Sequence, residues 1–227
     1  MEDLLEIVGV SKTFRTKAGE VRAVDGVSLR ARRGELSLIV GASGSGKTTL
    51  LYLVGSLEKP DEGEIRVFGE DICSPGADLV LYRRERVGFV FQMFNLVPAL
   101  TALENVALPM DLAGVPASVQ RARAGELLER MNIDRPLQRA RPNRMSGGEK
   151  QRVAVARALA NDPEVILADE PTGNLDTATG QVVVDILAGL AHRDGKCVII
   201  VTHDESILKV ADWAYRMKDG RLEGIDT

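Results

Sequence analysis

The sequence predicts an α/β domain with a mostly parallel sheet, helices on both of its faces and a small helical insertion. Three observations carry that reading. Short, almost wholly apolar runs, of which Leu36 to Val40 is the clearest, have the pattern of strands covered on both faces. They alternate with stretches of helical spacing, the order expected of a parallel sheet. Between residues 95 and 145 the strands stop and only helical spacing remains.

Residues 4 to 10, 21 to 30 and 35 to 40 mix β-branched and apolar residues between breaks at Gly19, Gly26 and Gly34, and read as strands. Gly41 ends the third abruptly. A helix is predicted over residues 48 to 57, then strands over 65 to 68 and 87 to 91. Within the insertion Leu103, Val106, Leu127, Leu128 and Met131 recur at helical spacings, punctuated by Pro98, Pro109, Pro116, Pro136 and Pro142. Alternation then resumes with a helix over 149 to 160, a strand over 165 to 168, a helix over 178 to 192 and a strand over 197 to 202.

Composition sets the outer bounds. The chain has 227 residues, 44% hydrophobic, 27% charged and 4% aromatic, with 29 Lys+Arg against 33 Asp+Glu for a net charge of −4. That length suits one globular domain able to bury roughly 70% of its unfolded surface, which excludes intrinsic disorder. Interspersed charge and few aromatics argue against a DNA-wrapping face, a polybasic membrane surface or a base-stacking platform, so no nucleic-acid partner is expected. Cys73 and Cys197 lack metal-ligand spacing and read as thiols of a reducing compartment. The acidic start Met-Glu-Asp is unlike a secretory signal, and no run approaches the roughly 20 apolar residues of a membrane span. A cytosolic protein that serves a membrane only through a partner is the expectation.

Three motifs carry chemistry. Gly41-Ala42-Ser43-Gly44-Ser45-Gly46-Lys47-Thr48 follows an apolar strand and precedes a helix, the context of a phosphate-binding loop. Its glycines let successive amides face phosphate oxygens at a helix N-terminus; Lys47 bridges the outer phosphates and the Thr48 hydroxyl holds Mg²⁺. Kinase, GTPase and ATPase all remain open at that point. The second motif is the apolar strand from Val165 that ends in Asp169-Glu170. Asp169 can reach a Mg²⁺ shell at the carboxyl end of the sheet, and strand alternation points Glu170 elsewhere, as a base toward water. Third, Ser146-Gly147-Gly148-Glu149 caps a strong helical sequence and exposes amides, a second anion site.

With Gln92, His203 and Pro171 to Asp176 in the same order, this set resembles the nucleotide-binding subunits of ATP-binding-cassette (ABC) transporters, over almost the whole chain. The resemblance implies a P-loop NTPase fold of ABC type: an N-terminal antiparallel β portion, a catalytic core formed by residues 1–94 and 146–227, and a helical subdomain at about 95–145. It implies ATP and Mg²⁺ as ligands, and a head-to-tail homodimer in the ATP-bound state. In that dimer residues Gly41 to Thr49 of one subunit and Ser146 to Glu149 of the other sandwich each nucleotide. Gln92 then senses metal and water, His203 contacts the γ-phosphate, Asp176 lies at the dimer interface, and Phe14 stacks on adenine. Met145, Glu149, Thr48 and Phe14 depart from the commonest residues without losing cap, glycines, hydroxyl or aromatic ring.

The stretches Gly88 to Val106 and Pro171-Thr172-Gly173-Asn174-Leu175-Asp176 look like the lipoprotein-release and macrolide-export branch. A separate integral-membrane permease is the implied partner, docking on a groove built by Phe94, Leu96, Val97 and Leu100, with the chain on the cytoplasmic face of the cell (inner) membrane. The implied activity is ATP hydrolysis that powers this permease, with Lys47, Glu170, His203 and Gln92 in catalysis. The alternative is a cassette of the same chemistry that drives transmembrane signalling or cell-division regulation.

Overall fold

The computed structural model of the chain describes residues 3–17 and 19–225; the acidic Met1-Glu2 start lies outside them. In chain order the elements are β1 (Asp3–Thr16), β2 (Gly19–Arg32), β3 (Leu36–Val40), α1 (Lys47–Val54), β4 (Glu62–Val67), β5 (Glu70–Asp71), α2 (Leu79–Glu85) and β6 (Val87–Phe91). There follow α3 (Ala102–Leu112), α4 (Ala117–Arg130), α5 (Arg135–Gln138), α6 (Gly147–Ala158), β7 (Val165–Asp169), α7 (Thr177–His192), β8 (Cys197–Thr202), β9 (Trp213–Lys218) and β10 (Arg221–Ile225).

Two sheets result. The central one has the order β10-β9-β3-β8-β7-β6, with every pairing parallel except the β9–β10 edge hairpin. The other, β2-β1-β4-β5, is antiparallel. Period-two alternation divides the central strands between two buried clusters: Leu36, Leu38 and Val40 face one and Ile39 the other, as do Ile166 and Ala168 against Val165 and Leu167. The first cluster continues without a break into the helical insertion through Val106, Met110, Leu128 and Ile133. The second lies between the two sheets, where Leu5 and Ile7 of β1 meet Leu50 and Val54 of α1. Each such side chain contributes roughly 1.5–3 kcal/mol by leaving water.

The observed fold adds α2, β5, β9 and β10 to the elements predicted. Helix α2 is short, and Asp78 starts it by accepting from the Leu81 amide. Strands β9 and β10 close the sheet beyond β3, joined by the two residues Asp219 and Gly220 at φ 48° and 79°. Asp-Gly between alternating strands is a strong hairpin signal. Pro109, expected to punctuate the insertion, sits instead inside α3 near its C-terminal end. The loop before α3 is pinned by buried Asn105, whose amide accepts from the Val97 N–H (2.7 Å) and donates to the Thr101 carbonyl (2.9 Å).

Candidate active site

The phosphate loop follows β3 and opens α1. A Cβ on Gly41 would strike the Met217 carbonyl, and one on Gly46, at φ 105°, the Ala23 carbonyl, so glycine is required at both. Gly46 caps α1 without any side-chain bond, leaving the first-turn amides to an anion. Lys47 is buried and donates to the carbonyls of Gly41 (2.8 Å) and Ala42 (2.9 Å). Burial pushes its ammonium pKa down, opposed by the carboxylates of Glu170 and Asp169. The buried Ser45 hydroxyl has no partner among the described residues, an unused donor that fits a loop built around an acceptor-rich phosphate.

Across from the loop, Thr48 Oγ1 donates to Asp169 Oδ1 at 2.9 Å. Burial raises the Asp169 carboxyl pKa, and the Thr48 bond opposes this. Tyr52, one turn along α1, lies close enough to Asp169 for burial and this carboxylate together to raise the phenol pKa. The two adjacent hard oxygens of Thr48 and Asp169 are donors of the kind Mg²⁺, which keeps waters and takes further ligands from phosphates, would accept.

Glu170 does face away from Asp169, for a different reason than strand alternation. The strand ends at Asp169, and Glu170 adopts φ 45°, a left-handed backbone uncommon outside glycine. Its N–H donates to the Val201 carbonyl (2.8 Å). Its Oε2 meets the Thr202 hydroxyl and His203 Nδ1, each at 2.9 Å, and the His203 N–H at 3.3 Å.

One cavity of about 640 Å³ joins Ser43, Gly44, Gly46, Lys47, Thr48 and Thr49 to Gln92, Asp169, Glu170 and His203. Gly41, Ala42 and Ser45 build the loop without lining it. Phe14 does not line it either; its cross-strand partner Val21 does, together with Arg22, Ala23, Asp219 and Gly220. The sequence reading missed those five. The C-terminal hairpin supplies the last two and is tied in by the Gly220 N–H to Ser45 carbonyl bond (3.1 Å).

Ser146 to Glu149 stand outside this cavity. Ser146 caps α6 in a reciprocal box, its amide donating to Glu149 Oε2 (2.8 Å) while its Oγ accepts from the Glu149 amide (3.3 Å). Asp176 caps α7, accepting from the Thr179 hydroxyl (2.6 Å) and amide (3.0 Å), which holds its carboxyl below the ordinary range. Gly148 packs on Thr179, and Gly147 on Leu175, without room for a Cβ at Gly148.

Three polar residues not singled out by sequence connect these parts. Gln151 of α6 donates to the Pro171 carbonyl (2.7 Å), Arg157 holds the Phe94 carbonyl (2.8 Å) and that of Asn95, and Asn174 donates to the Gln92 carbonyl (2.9 Å). Gln151 is fully buried beside Val153, Ala154 and Val155, a burial that the sequence alone does not show. Of the expected groove residues, Leu96 packs against the core while Val97 is exposed, and a separate groove of about 610 Å³ is lined by Val80, Phe89, Phe91, Pro109, Leu112 and Arg157.

The chain is similar to known proteins along nearly its whole length. An ABC transporter family profile matches residues 24–173. An uncharacterised ABC transporter ATP-binding protein of Thermotoga maritima is 47% identical over the whole chain, which spans 96% of it. The lipoprotein-releasing system ATP-binding protein LolD of Hyphomonas neptunium is 42% identical over 98% of the chain, spanning 97% of the relative. Among solved structures, the dimeric ATP-binding cassette MJ0796 in a post-hydrolysis state with ADP and Pi superposes with a TM-score of 0.89 at 39% identity, covering 98% of this chain and 99% of that one. The chain belongs to the ABC transporter family, as one of its ATP-binding cassettes.

Proposed function

We propose that the chain hydrolyses ATP as the cytoplasmic-face ATPase of a transporter of the lipoprotein-release or macrolide-export type, bound peripherally to the inner membrane through a separate permease. The observation that carries the reading is the convergence, in one cavity, of an anion-binding helix start, buried Lys47, the Thr48–Asp169 pair and a Glu170 carboxylate.

In this reading the loop amides and Lys47 hold the phosphates of ATP. Thr48, Asp169 and Gln92 would hold Mg²⁺, which when bound supplies charge neutralisation at the phosphate oxygens. Glu170 orients the attacking water and accepts one of its protons as the water oxygen bonds the γ-phosphorus. The bond from that phosphorus to the bridging oxygen breaks, and its electron pair leaves with ADP. His203, two-thirds exposed, turns to the γ-phosphate. Val21, with Phe14 beside it, borders the adenine end. Ser146 to Glu149 close the site from a second copy, with Asp176 at the interface, so that binding of ATP draws two copies together and hydrolysis releases them. The groove of Phe89, Phe91 and Leu112 receives the permease, and Arg157 links its wall to the Gln92 loop.

The test is phosphate release by the purified chain with ATP and Mg²⁺. Release should occur and should be abolished by Lys47→Ala with the fold intact. No release from the unaltered chain, or undiminished release from K47A, contradicts the reading.

A further inference from the structure

We infer that Thr202 is the positioning residue that selects which oxygen of Glu170 acts on water, an inference that rests on the ATPase reading above. Every hydrogen bond the Glu170 carboxylate makes among the described residues falls on Oε2. Oε1 is left as the oxygen that can accept from a ligand or water.

The direction of the Thr202 bond is fixed by its surroundings. Thr202 is fully buried at the end of β8, and its β-branched side chain has few rotamers available. Its Oγ1 accepts from the Asp204 amide at 3.0 Å. Its single hydrogen is then free to donate to Glu170 Oε2 at 2.9 Å, and an ionised carboxylate can only accept. The chain Asp204 N–H to Thr202 O–H to Glu170 is therefore polarised toward the carboxylate, which strengthens it.

Of the donors to Oε2, the His203 ring cannot be the lasting one. Its side chain is 66% exposed, whereas that of Glu170 is 16% exposed. When the ring leaves Oε2 for the nucleotide, the Thr202 hydroxyl at 2.9 Å, with the longer bond from the His203 amide at 3.3 Å, keeps the carboxylate plane in place. A freely rotating carboxylate would present either oxygen, at a distance unsuited to in-line attack.

The experiment compares Thr202→Val, which keeps the branched shape and removes the hydroxyl, with Thr202→Ser, which keeps the hydroxyl. T202V should lower kcat by about tenfold or more, the order of a hydrogen bond to a charged group, with the ATP KM changed by less than about twofold. T202S should stay within about threefold of the unaltered chain. A T202V kcat within about twofold of the unaltered chain overturns the inference, as does equal loss in T202V and T202S, or a loss confined to KM. If T202V does not fold, Thr202→Cys, a weaker donor of similar size, should give a kcat between those of T202S and Glu170→Gln; a kcat equal to that of T202S overturns the inference. Absence of hydrolysis by the unaltered chain overturns the ATPase reading first, and is distinguished by that result alone.

Discussion

Gly173→Ala isolates the contribution of Gln92 without touching it. A Cβ at Gly173 would lie 2.7 Å from Gln92 Nε2 and 3.2 Å from its Cδ, the end of a flexible side chain, so the amide of Gln92 must swing away. The backbone of Gly173 is not left-handed and accepts alanine. Restricting the unfolded chain stabilises by about 0.4–1 kcal/mol. Displacing the Gln92 rotamer costs about 0.5–1.5 kcal/mol. Stability should therefore change by no more than about 1 kcal/mol. Catalysis should suffer more: one hydrogen bond to a charged or metal-bound group is worth about 1.5–3 kcal/mol, or about ten- to a hundredfold in kcat. The assay is kcat at saturating ATP, with a Mg²⁺ titration and a melting curve for G173A, Gln92→Ala and the double variant. The double variant should be no slower than Q92A alone, since both single changes remove one interaction. Wild-type kcat in G173A when Q92A is impaired, or additive losses in the double variant, would refute the reasoning.

Three further outcomes follow from the same structure. Gln151→Leu leaves the buried Pro171 carbonyl without its 2.7 Å donor but also removes an Oε1 that has no partner among the described residues, for a net loss of about 1–2 kcal/mol in a urea titration; no loss contradicts the assigned link. Acid should destabilise the fold: hydrogen bonds from Thr13, Thr101, Thr179 and Ser206 depress the carboxyls of Asp61, Glu104, Asp176 and Asp204. Groups depressed in the folded state contribute above their ordinary values, 3.8 for Asp and 4.5 for Glu, and that contribution is lost as pH falls through the folded values. A urea midpoint that rises below pH 3.8 contradicts this. Finally, Lys47→Ala and Ser146→Arg chains, each inactive alone, should regain hydrolysis when mixed, because one composite site of the mixed dimer keeps both residues; failure of every mixture to exceed the separate chains argues against a shared site.

Much of the site was legible because its chemistry needs particular residues at fixed spacing. The run Gly41 to Thr48 must place amides, lysine and hydroxyl in sequence, and it lies where the apolar strand and following helix predict. Glu170 was identified through its neighbour, yet its orientation comes from a left-handed backbone and bonds to Thr202 and His203, residues 32 and 33 positions away, which no local pattern specifies. The C-terminal hairpin was passed over although Asp219-Gly220 marks it. Its strands carry charges on alternate positions and lack the wholly apolar look of β3 and β8. Gln151, Arg157 and Asn174 escaped for another reason: each holds a backbone carbonyl far along the chain, and a carbonyl leaves no trace in sequence.

Glu170 acting on water in a site shared by two copies of the chain is tested most directly at Glu170 itself. Glu170→Gln keeps the size of the side chain and removes its basicity. With ATP and Mg²⁺, the variant should bind nucleotide, lose turnover by at least about a hundredfold, and accumulate as an ATP-loaded dimer in sedimentation or gel filtration, while the unaltered chain does not. Turnover by E170Q at the rate of the unaltered chain, or an ATP-loaded variant that stays monomeric, would contradict the account.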